Sequence, residues 1–366
     1  MNKKQILIVT SEFPPQPGGI GYHAFHIARQ LQLHGYGVSV LADQRSKTGE
    51  EETKFDKSLA FSVIRIPWKS IRFLMYLKRL VLLFKRIKTN DVVLASGKFS
   101  LWIVAFISLF YKRKYIAVIH GSEVNFKKYL LKKSIELALK QFSKIIAVSH
   151  YTGSLIKHLN LNTIVIPNGY DTKKWQSVIK SHTVLTGYPK LMTVGNVTTR
   201  KGQLQVIQHL PTLLKSFPEI QYHCVGLLTE AETFKKTAKD LGVENRVHFH
   251  GRLEDAELQS MLMAMDAFVM LSTETDEGDV EGFGMALIEA NALGIPTIGS
   301  KGCGIEDAIL EGKSGCLIEH KSELEFQSAL KNILESHKKY KLEAKKWADK
   351  HTWEDIIKSY IHSIEA

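Results

Sequence analysis

Short apolar runs separated by helix-length segments set the tightest limit on how this chain folds. "QILIVT", "VSVLA", "DVVLAS", "YIAVIH", "KIIAVS" and "TIVIPN" succeed one another through its first half. Helix-length stretches at 22–34, 70–88 and 100–111 lie between several of them. A strand covered on both faces reads as an unbroken apolar run, so this alternation predicts a parallel sheet with helices on both sides. The pattern then restarts with "KLMTVGN", "QYHCVG", "RVHFHG", "AFVMLS", "PTIGS" and "GCLIE". Two doubly wound α/β domains are expected, joined near "VIPNGYDTKKW", where Pro167, Asn168 and Gly169 form a turn cluster. The predicted division is 1–168 and 169–349. The charged segment "KTGEEETKFDKS" (47–58) reads as a solvated surface loop.

Composition agrees with two cores. A chain of 366 residues exceeds one ordinary hydrophobic core. Its 44% hydrophobic and 23% charged content exclude a disordered or fibrous protein. The three cysteines, Cys224, Cys303 and Cys316, form no CxxC pair, which fits a reducing compartment and argues against disulfides or structural zinc. The N-terminal apolar stretch is too short for a secretory signal. The run "LWIVAFISLF" is about half the length needed to span a bilayer. A cytoplasmic protein is therefore expected.

Charge is distributed unevenly. Residues 1–168 carry 26 Lys+Arg against 9 Asp+Glu, a net of +17, and the remainder carries 23 against 28, a net of −5. A strongly basic half points to nucleic acid, anionic lipid or phosphorylated substrates. No aromatic-rich basic platform or nucleic-acid motif is present, so nucleic acid is the weakest of the three. The segment 70–88, "SIRFLMYLKRLVLLFKRIK", repeats Arg72, Arg79 and Arg86 every seven residues, with Lys78 and Lys85 beside them. It reads either as a helix lying on an anionic membrane surface or as a core helix with a solvated basic edge.

Four segments carry candidate chemistry. In "PPQPGGIGYHAFHIARQL", Gly18 and Gly19 follow the first strand and lead into a helix, a setting that favours phosphate. It is neither a GxGxxG fingerprint nor a P-loop. In "VIHGSEV", His120 ends a strand, where ligands of open α/β sheets bind. In "TVGNVTTRKGQ", Arg200 and Lys201 stand at a helix start, against the favourable dipole placement, and so call for an anion. In "DVEGFGMALIEANALGIP", Glu289 interrupts a helix that is otherwise apolar apart from Asn291. A carboxylate rarely enters such a helix without a hydrogen-bonding partner, and a ribose diol would supply one. Amides near Phe283, Gly284 and Met285 begin that helix, and Glu281 precedes the turn. The acidic loop "TETDEGDVE" lacks both the EF-hand spacing and a DxD motif, so no metal site is expected there.

Taken together, these segments resemble the retaining glycosyltransferases of family 4, which have the GT-B fold. The resemblance runs through "PPQPGGIG", "HGSEV", "AVSHYT", "VIPNGYD", "VG…RKG" and "HFHGRL" to the E-x7-E signature formed by Glu281 and Glu289. "HGSEV" and "GDVEGFG" are most similar to mannosyltransferases of bacterial glycolipids and surface polysaccharides. The resemblance implies two Rossmann-like domains facing each other across a cleft, with a C-terminal helix (about 350–366) returning to the first domain. It implies transfer of a hexose, with GDP-mannose as the preferred donor, to a glycan or lipid-linked acceptor, without metal or other cofactor. Gly18 and Gly19 would approach the diphosphate, His120 the donor sugar, and Lys201 with Arg200 the leaving phosphates. Glu281 and the amides of Phe283, Gly284 and Met285 would hold sugar hydroxyls, and Glu289 the ribose. His120 and Glu281 are thus the catalytic candidates. Peripheral attachment to the inner membrane face would suit the basic half. One departure stands out: Asn196 replaces the arginine that many relatives carry after the glycine of "VG". An epimerase or hydrolase on the same fold would need an acid–base carboxylate pair, which cannot be located. A non-catalytic nucleotide-sugar-binding protein is the remaining competitor.

Overall fold

A computed structural model describes residues 3–70, 72–175 and 185–366. The chain divides into two compact units, Met1–Asn168 with Trp353–Ala366, and Gly169–Thr352. The first contains β1 (Gln5–Thr10), α1 (Gly19–Leu33), β2 (Gly37–Asp43), α2 (Glu50–Asp56), β3 (Ser62–Ile66), α3 (Arg72–Arg86) and β4 (Val92–Ser96). It continues with α4 (Lys98–Ser108), β5 (Lys114–Ile119), α5 (Tyr129–Leu139), β6 (Lys144–Ala147), α6 (His150–Ser154) and β7 (Thr163–Val165). Its seven strands pair in parallel in the order β3-β2-β1-β4-β5-β6-β7. The order reverses between β1 and β4, and in such sheets ligands bind outside the carboxyl ends of the strands at that point.

The second unit holds α7 (Thr172–Trp175), β8 (Lys190–Val194), α8 (Gln203–Leu213), β9 (Gln221–Val225), α9 (Ala231–Asp240), β10 (Val247–Gly251) and α10 (Asp255–Met263). There follow β11 (Ala267–Met270), α11 (Met285–Ala292), β12 (Thr297–Ser300), β13 (Gly315–Ile318), α12 (Glu323–Glu335) and α13 (His337–Ala348). Six parallel strands take the order β10-β9-β8-β11-β12-β13, with the reversal between β8 and β11. The last helix, α14 (Trp353–Glu365), counts with the first unit. There Tyr360 is fully buried, its hydroxyl 2.9 Å from His23 Nε2, and Trp353 stacks on His26 at 5.2 Å.

Two expectations need correction. The segment 47–58 is not a solvated loop but contains α2, and Glu52 within it is 1% exposed. Its carboxylate accepts the backbone N–H groups of Arg45 and Ser46 at 2.9 and 2.8 Å, capping the turn before the helix. Burial pushes its carboxyl up, but these bonds and the Ser46 hydroxyl outweigh that and hold it at about 2. The strand β3 was not anticipated. "SVIRI" is short, breaks its apolar run with Arg65 and precedes Pro67, and it forms the sheet edge, where such a sequence is tolerated.

Candidate active site

In the second unit, two loops meet at the switch between β8 and β11. The chain leaves β8 through Gly195 and enters a 3₁₀ turn, Thr199–Lys201. Gly202 follows at φ +81°, and a Cβ there would lie 2.1 Å from the Leu271 carbonyl oxygen. Only glycine allows this turn to rest on the end of β11. The Arg200 carbonyl then accepts from the Ser272 hydroxyl at 2.5 Å and the Thr273 amide at 3.2 Å. The loop after β11 ends at Gly284 (φ +84°), the N-cap of α11, which has no side-chain cap. The first amides of α11 therefore lack a capping side chain, as at helix starts that receive anions or hydroxyls.

Glu281 lies between these loops. Its Oε2 accepts from Arg200 Nη1 at 2.5 Å and from Lys201 Nζ at 2.6 Å. Arg200 also reaches Asp279 through Nε at 3.1 Å. The Glu281 side chain is 13% exposed. Burial drives its carboxyl upward, but Lys201 and Arg200 outweigh that and hold it at about 2. One anionic oxygen thus sits between two cations at a helix start. Among the described residues, no group of three His, Cys, Asp or Glu is placed to hold a metal ion.

Glu289 lies one turn into α11 and meets a different environment. Trp175 Nε1, itself buried, donates to Glu289 Oε1 at 3.1 Å. Burial raises its carboxyl to about 7, against the opposing pull of Lys174 and the Trp175 bond. Asn291, the other polar residue of this helix, donates to the Ile295 carbonyl at 2.9 Å and so closes the helix end. The Phe283 side chain is buried 6.1 Å from the ring of His351. Its ring is structural, which leaves its amide as the group for a ligand.

In the first unit, His120 follows β5. Its Nε2 lies 2.9 Å from Ser96 Oγ at the end of β4, and its amide donates to Glu123 Oε1 at 2.5 Å. Burial lowers the His120 imidazole to about 4 and raises the Glu123 carboxyl to about 7. At neutral pH His120 is an uncharged imidazole, a hydrogen-bonding group rather than a cation. Gly18 precedes α1, and a Cβ there would meet side-chain ends alone, Glu12 Oε2 at 2.2 Å and Arg45 Nη1 at 3.3 Å. The position that requires glycine is Gly21, where a Cβ would stand 2.9 Å from the backbone of Glu12 and Phe13. Gly19 is exposed at the start of α1.

The proposed basic stripe of α3 is not one stripe. Lys78, Lys85 and Arg86 are exposed, but Arg79 is 1% exposed and its guanidinium donates to Asp43 at 2.6 Å. Asp43, at the end of β2, draws the Arg79 side chain inward. The side chain of Arg72 lies outside the described residues.

The sequence reasoning missed Trp175 in the second unit and Ser96 in the first, and weighed Asp279 only as one carboxylate of the acidic loop. Glu123 had one signal, its place in "HGSEV".

Comparison with known proteins accounts for both units. Residues 17–174 match the family model "Glycosyltransferase Family 4", and residues 176–349 match "Glycosyl transferases group 1". The chain is 25% identical over 346 residues to the GDP-mannose-dependent alpha-(1-6)-phosphatidylinositol monomannoside mannosyltransferase of Mycolicibacterium smegmatis, covering 86% of this chain and 85% of that protein. The corresponding monoacylated-substrate enzyme of Corynebacterium glutamicum is 26% identical over 336 residues, with 86% and 85% covered. Among solved structures, Anabaena HepE in complex with UDP and glucose superposes with a TM-score of 0.78 at 19% identity, covering 99% of each chain. Sucrose-phosphate synthase from Thermosynechococcus elongatus gives 0.80 at 16% identity, covering 99% and 98%. With its two Rossmann-like units and both family models matched in order, this chain belongs to glycosyltransferase family 4 and has the GT-B fold.

Proposed function

We propose that the chain is a retaining, metal-independent hexosyltransferase that uses GDP-mannose. Its acceptor is a glycan or lipid-linked sugar in bacterial surface polysaccharide or glycolipid synthesis, handled on the cytoplasmic side of the membrane. The observation that carries this reading is the single oxygen of Glu281 held between Arg200 and Lys201. A phosphate oxygen of a donor would find the same two cations, and the uncapped start of α11 would add its dipole. Arg200 then supplies the charge missing at Asn196. In this reading those groups neutralise the leaving diphosphate, the work a metal does elsewhere. The first curated relatives, by their names, use GDP-mannose, which supports mannose as the sugar.

In the proposed reaction the acceptor hydroxyl attacks the anomeric carbon from the face the diphosphate leaves. The bond from that carbon to the phosphate oxygen breaks, and a new glycosidic bond forms with retention. The acceptor proton passes to the departing phosphate oxygen. Glu281, released from part of its ion pairing, takes sugar hydroxyls, and Glu289 takes the ribose diol. His120, as a neutral imidazole, hydrogen-bonds the sugar near its reacting carbon, and the backbone around Gly18 and Gly19 approaches the diphosphate.

The test is thermal stabilisation by a panel of nucleoside diphosphates and nucleotide sugars, with EDTA present. A ligand specific for the folded state adds about 2.7 kcal/mol at a hundredfold excess over its Kd. Stabilisation by guanine nucleotides alone, lost in Glu289→Ala, supports the donor site; stabilisation by uridine nucleotides instead overturns GDP-mannose. The anomeric configuration of the product, read by NMR, decides retention.

A further inference from the structure

The charge of this chain is concentrated in one stretch. Residues 68–140 hold 16 Lys+Arg against three Asp+Glu, a net of +13, while the whole chain carries +12. The same stretch exposes apolar side chains to an unusual degree. It supplies twelve of the twenty large hydrophobic residues that are exposed among the described residues, although it is only one-fifth of the chain. Soluble proteins rarely gather exposed apolar groups in this way without a use for them.

These residues belong to one layer of the first unit. The inward faces of α3, α4 and α5 share a single core, through Leu83, Val104, Ile107, Ile135 and Leu139, with Val93 and Ala117 of the sheet beneath. All three helices therefore cover the same side of that sheet. Aromatic contacts fix α3 to α4: Tyr76 lies 5.1 Å from Phe99, and Phe84 lies 5.8 Å from Phe110. The opposite faces point to solvent. On α3, Phe73, Leu74, Leu77 and Val81 are exposed, a spacing that keeps them on one side of a helix. At the end of α4, Leu109 is 65% exposed beside Phe106 and Phe110. On α5, Leu130 is 80% exposed, and Leu137 follows it seven residues later. Exposed lysines are interleaved with them, including Lys78, Lys85, Lys112, Lys128 and Lys132.

We propose that this three-helix face is a docking surface for an anionic lipid bilayer, with the aromatic and leucine side chains entering the headgroup layer and the lysines pairing with lipid phosphates. A second copy of this chain is a poor occupant, because two such faces would bring a charge of like sign against itself. A dry protein interface is depleted of lysine, whereas interfacial membrane helices combine Lys and Arg with Phe and Leu. The face extends well beyond α3, and it excludes Arg79, which turns inward to Asp43. Among the described residues no helix is long and apolar enough to cross a membrane, so the contact is of the surface type. The inference uses the first unit alone and does not depend on the donor site.

The experiment is flotation of the full chain with vesicles of phosphatidylglycerol mixed with phosphatidylcholine, against phosphatidylcholine alone. Two surface variants accompany it, Leu109→Ser with Leu130→Ser, and Lys112→Glu with Lys132→Glu. The wild type is expected to float with the anionic vesicles only, and less so at high salt. Each charge near an anionic surface is worth about a factor of five in binding, so the charge-reversal pair should weaken partitioning at least tenfold. The serine pair should weaken it by a similar factor. Unchanged melting temperatures and unchanged far-ultraviolet circular dichroism establish that both variants are folded. Absence of wild-type binding overturns the proposal, and so does binding that neither variant weakens. Concentration-dependent self-association abolished by the serine pair, seen by sedimentation velocity, would give the face to a second copy instead.

Discussion

The turn that leads into α11 and the body of that helix each enclose a glutamate, eight residues apart, and treat it in opposite ways. Glu281 in the turn is surrounded by Lys201, Arg200 and a helix start, and its carboxyl is held at about 2. Glu289 in the helix has one neutral donor, Trp175, and burial lifts its carboxyl to about 7. The same residue type thus gives a permanent anion at one position and a group poised between its two forms at the other. What differs is the charge of the partner: a neutral hydrogen bond offsets part of a desolvation cost, whereas two cations reverse it.

The largest expected effect comes from removing a cation on the Glu281 side. Lys201→Ala should lower kcat by about a hundredfold to a thousandfold, the range for deleting one charge-stabilising group. It also leaves Glu281 with Arg200 alone. Glu281's carboxyl lies below its ordinary value of 4.5, so its pairing contributes stability that is present above that pH and is lost as pH falls toward 2. The destabilisation of Lys201→Ala, followed by thermal melts, should therefore be evident at pH 7 and shrink in acid. Equal destabilisation at all pH values would break the contrast drawn between the two carboxylates.

Glu289→Gln should act with the opposite sign on the ligand-free protein. A carboxyl raised from 4.5 to about 7 contributes stability below the lower value and loses it as pH rises through the upper one. Glutamine keeps an oxygen for the Trp175 indole and never ionises. Each pKa unit corresponds to about 1.4 kcal/mol, and solvent at a partly exposed group reduces this. The variant should be more stable by about 1 kcal/mol at pH 8, and near neutral at pH 4, in chemical-denaturation curves. It should at the same time bind nucleotide more weakly, by about tenfold. A variant that is destabilised at pH 8 would show that Glu289 is held by more than Trp175 in the absence of donor.

The smallest effect should come from Asp279→Asn. Its side chain is half exposed and meets Arg200 at 3.1 Å, and such a pair is worth about 0.5 kcal/mol. Isothermal titration should show a change in nucleotide affinity of about twofold, upward if Asp279 competes with the diphosphate for Arg200.

These contrasts also mark what the sequence could reveal. The unbroken apolar runs of β1, β4 and β5 declare buried parallel strands, because a strand covered on both faces has no polar side. β3 sits at the edge, free of that demand, and Arg65 reaches Asp56 from it at 2.9 Å, so its run was broken and went unread. Glu289 was conspicuous because its helix is otherwise apolar, but its partner Trp175 lies 114 residues away, in a segment with nothing to mark it. Glu52 was mistaken for a solvated residue because its neighbours are charged. Its burial depends on the Arg45–Ser46 turn, and local composition does not encode that. Arg79 was read as part of a stripe because spacing does not show that Asp43 waits at the end of β2.

One feature of the chain's path bears on how the molecule is made. The first unit includes α14, whose Trp353 and Tyr360 complete the packing around His26 and His23. A ribosome adding about 5–20 residues per second produces the seven-stranded sheet well before that helix. The whole second unit must be synthesised in between, an interval of roughly ten to forty seconds. During it, α1 leaves open to solvent the groove beside His23 and His26 that α14 later covers. The domain begun first is thus finished last, and a nascent chain stalled before residue 353 would offer that groove to chaperones.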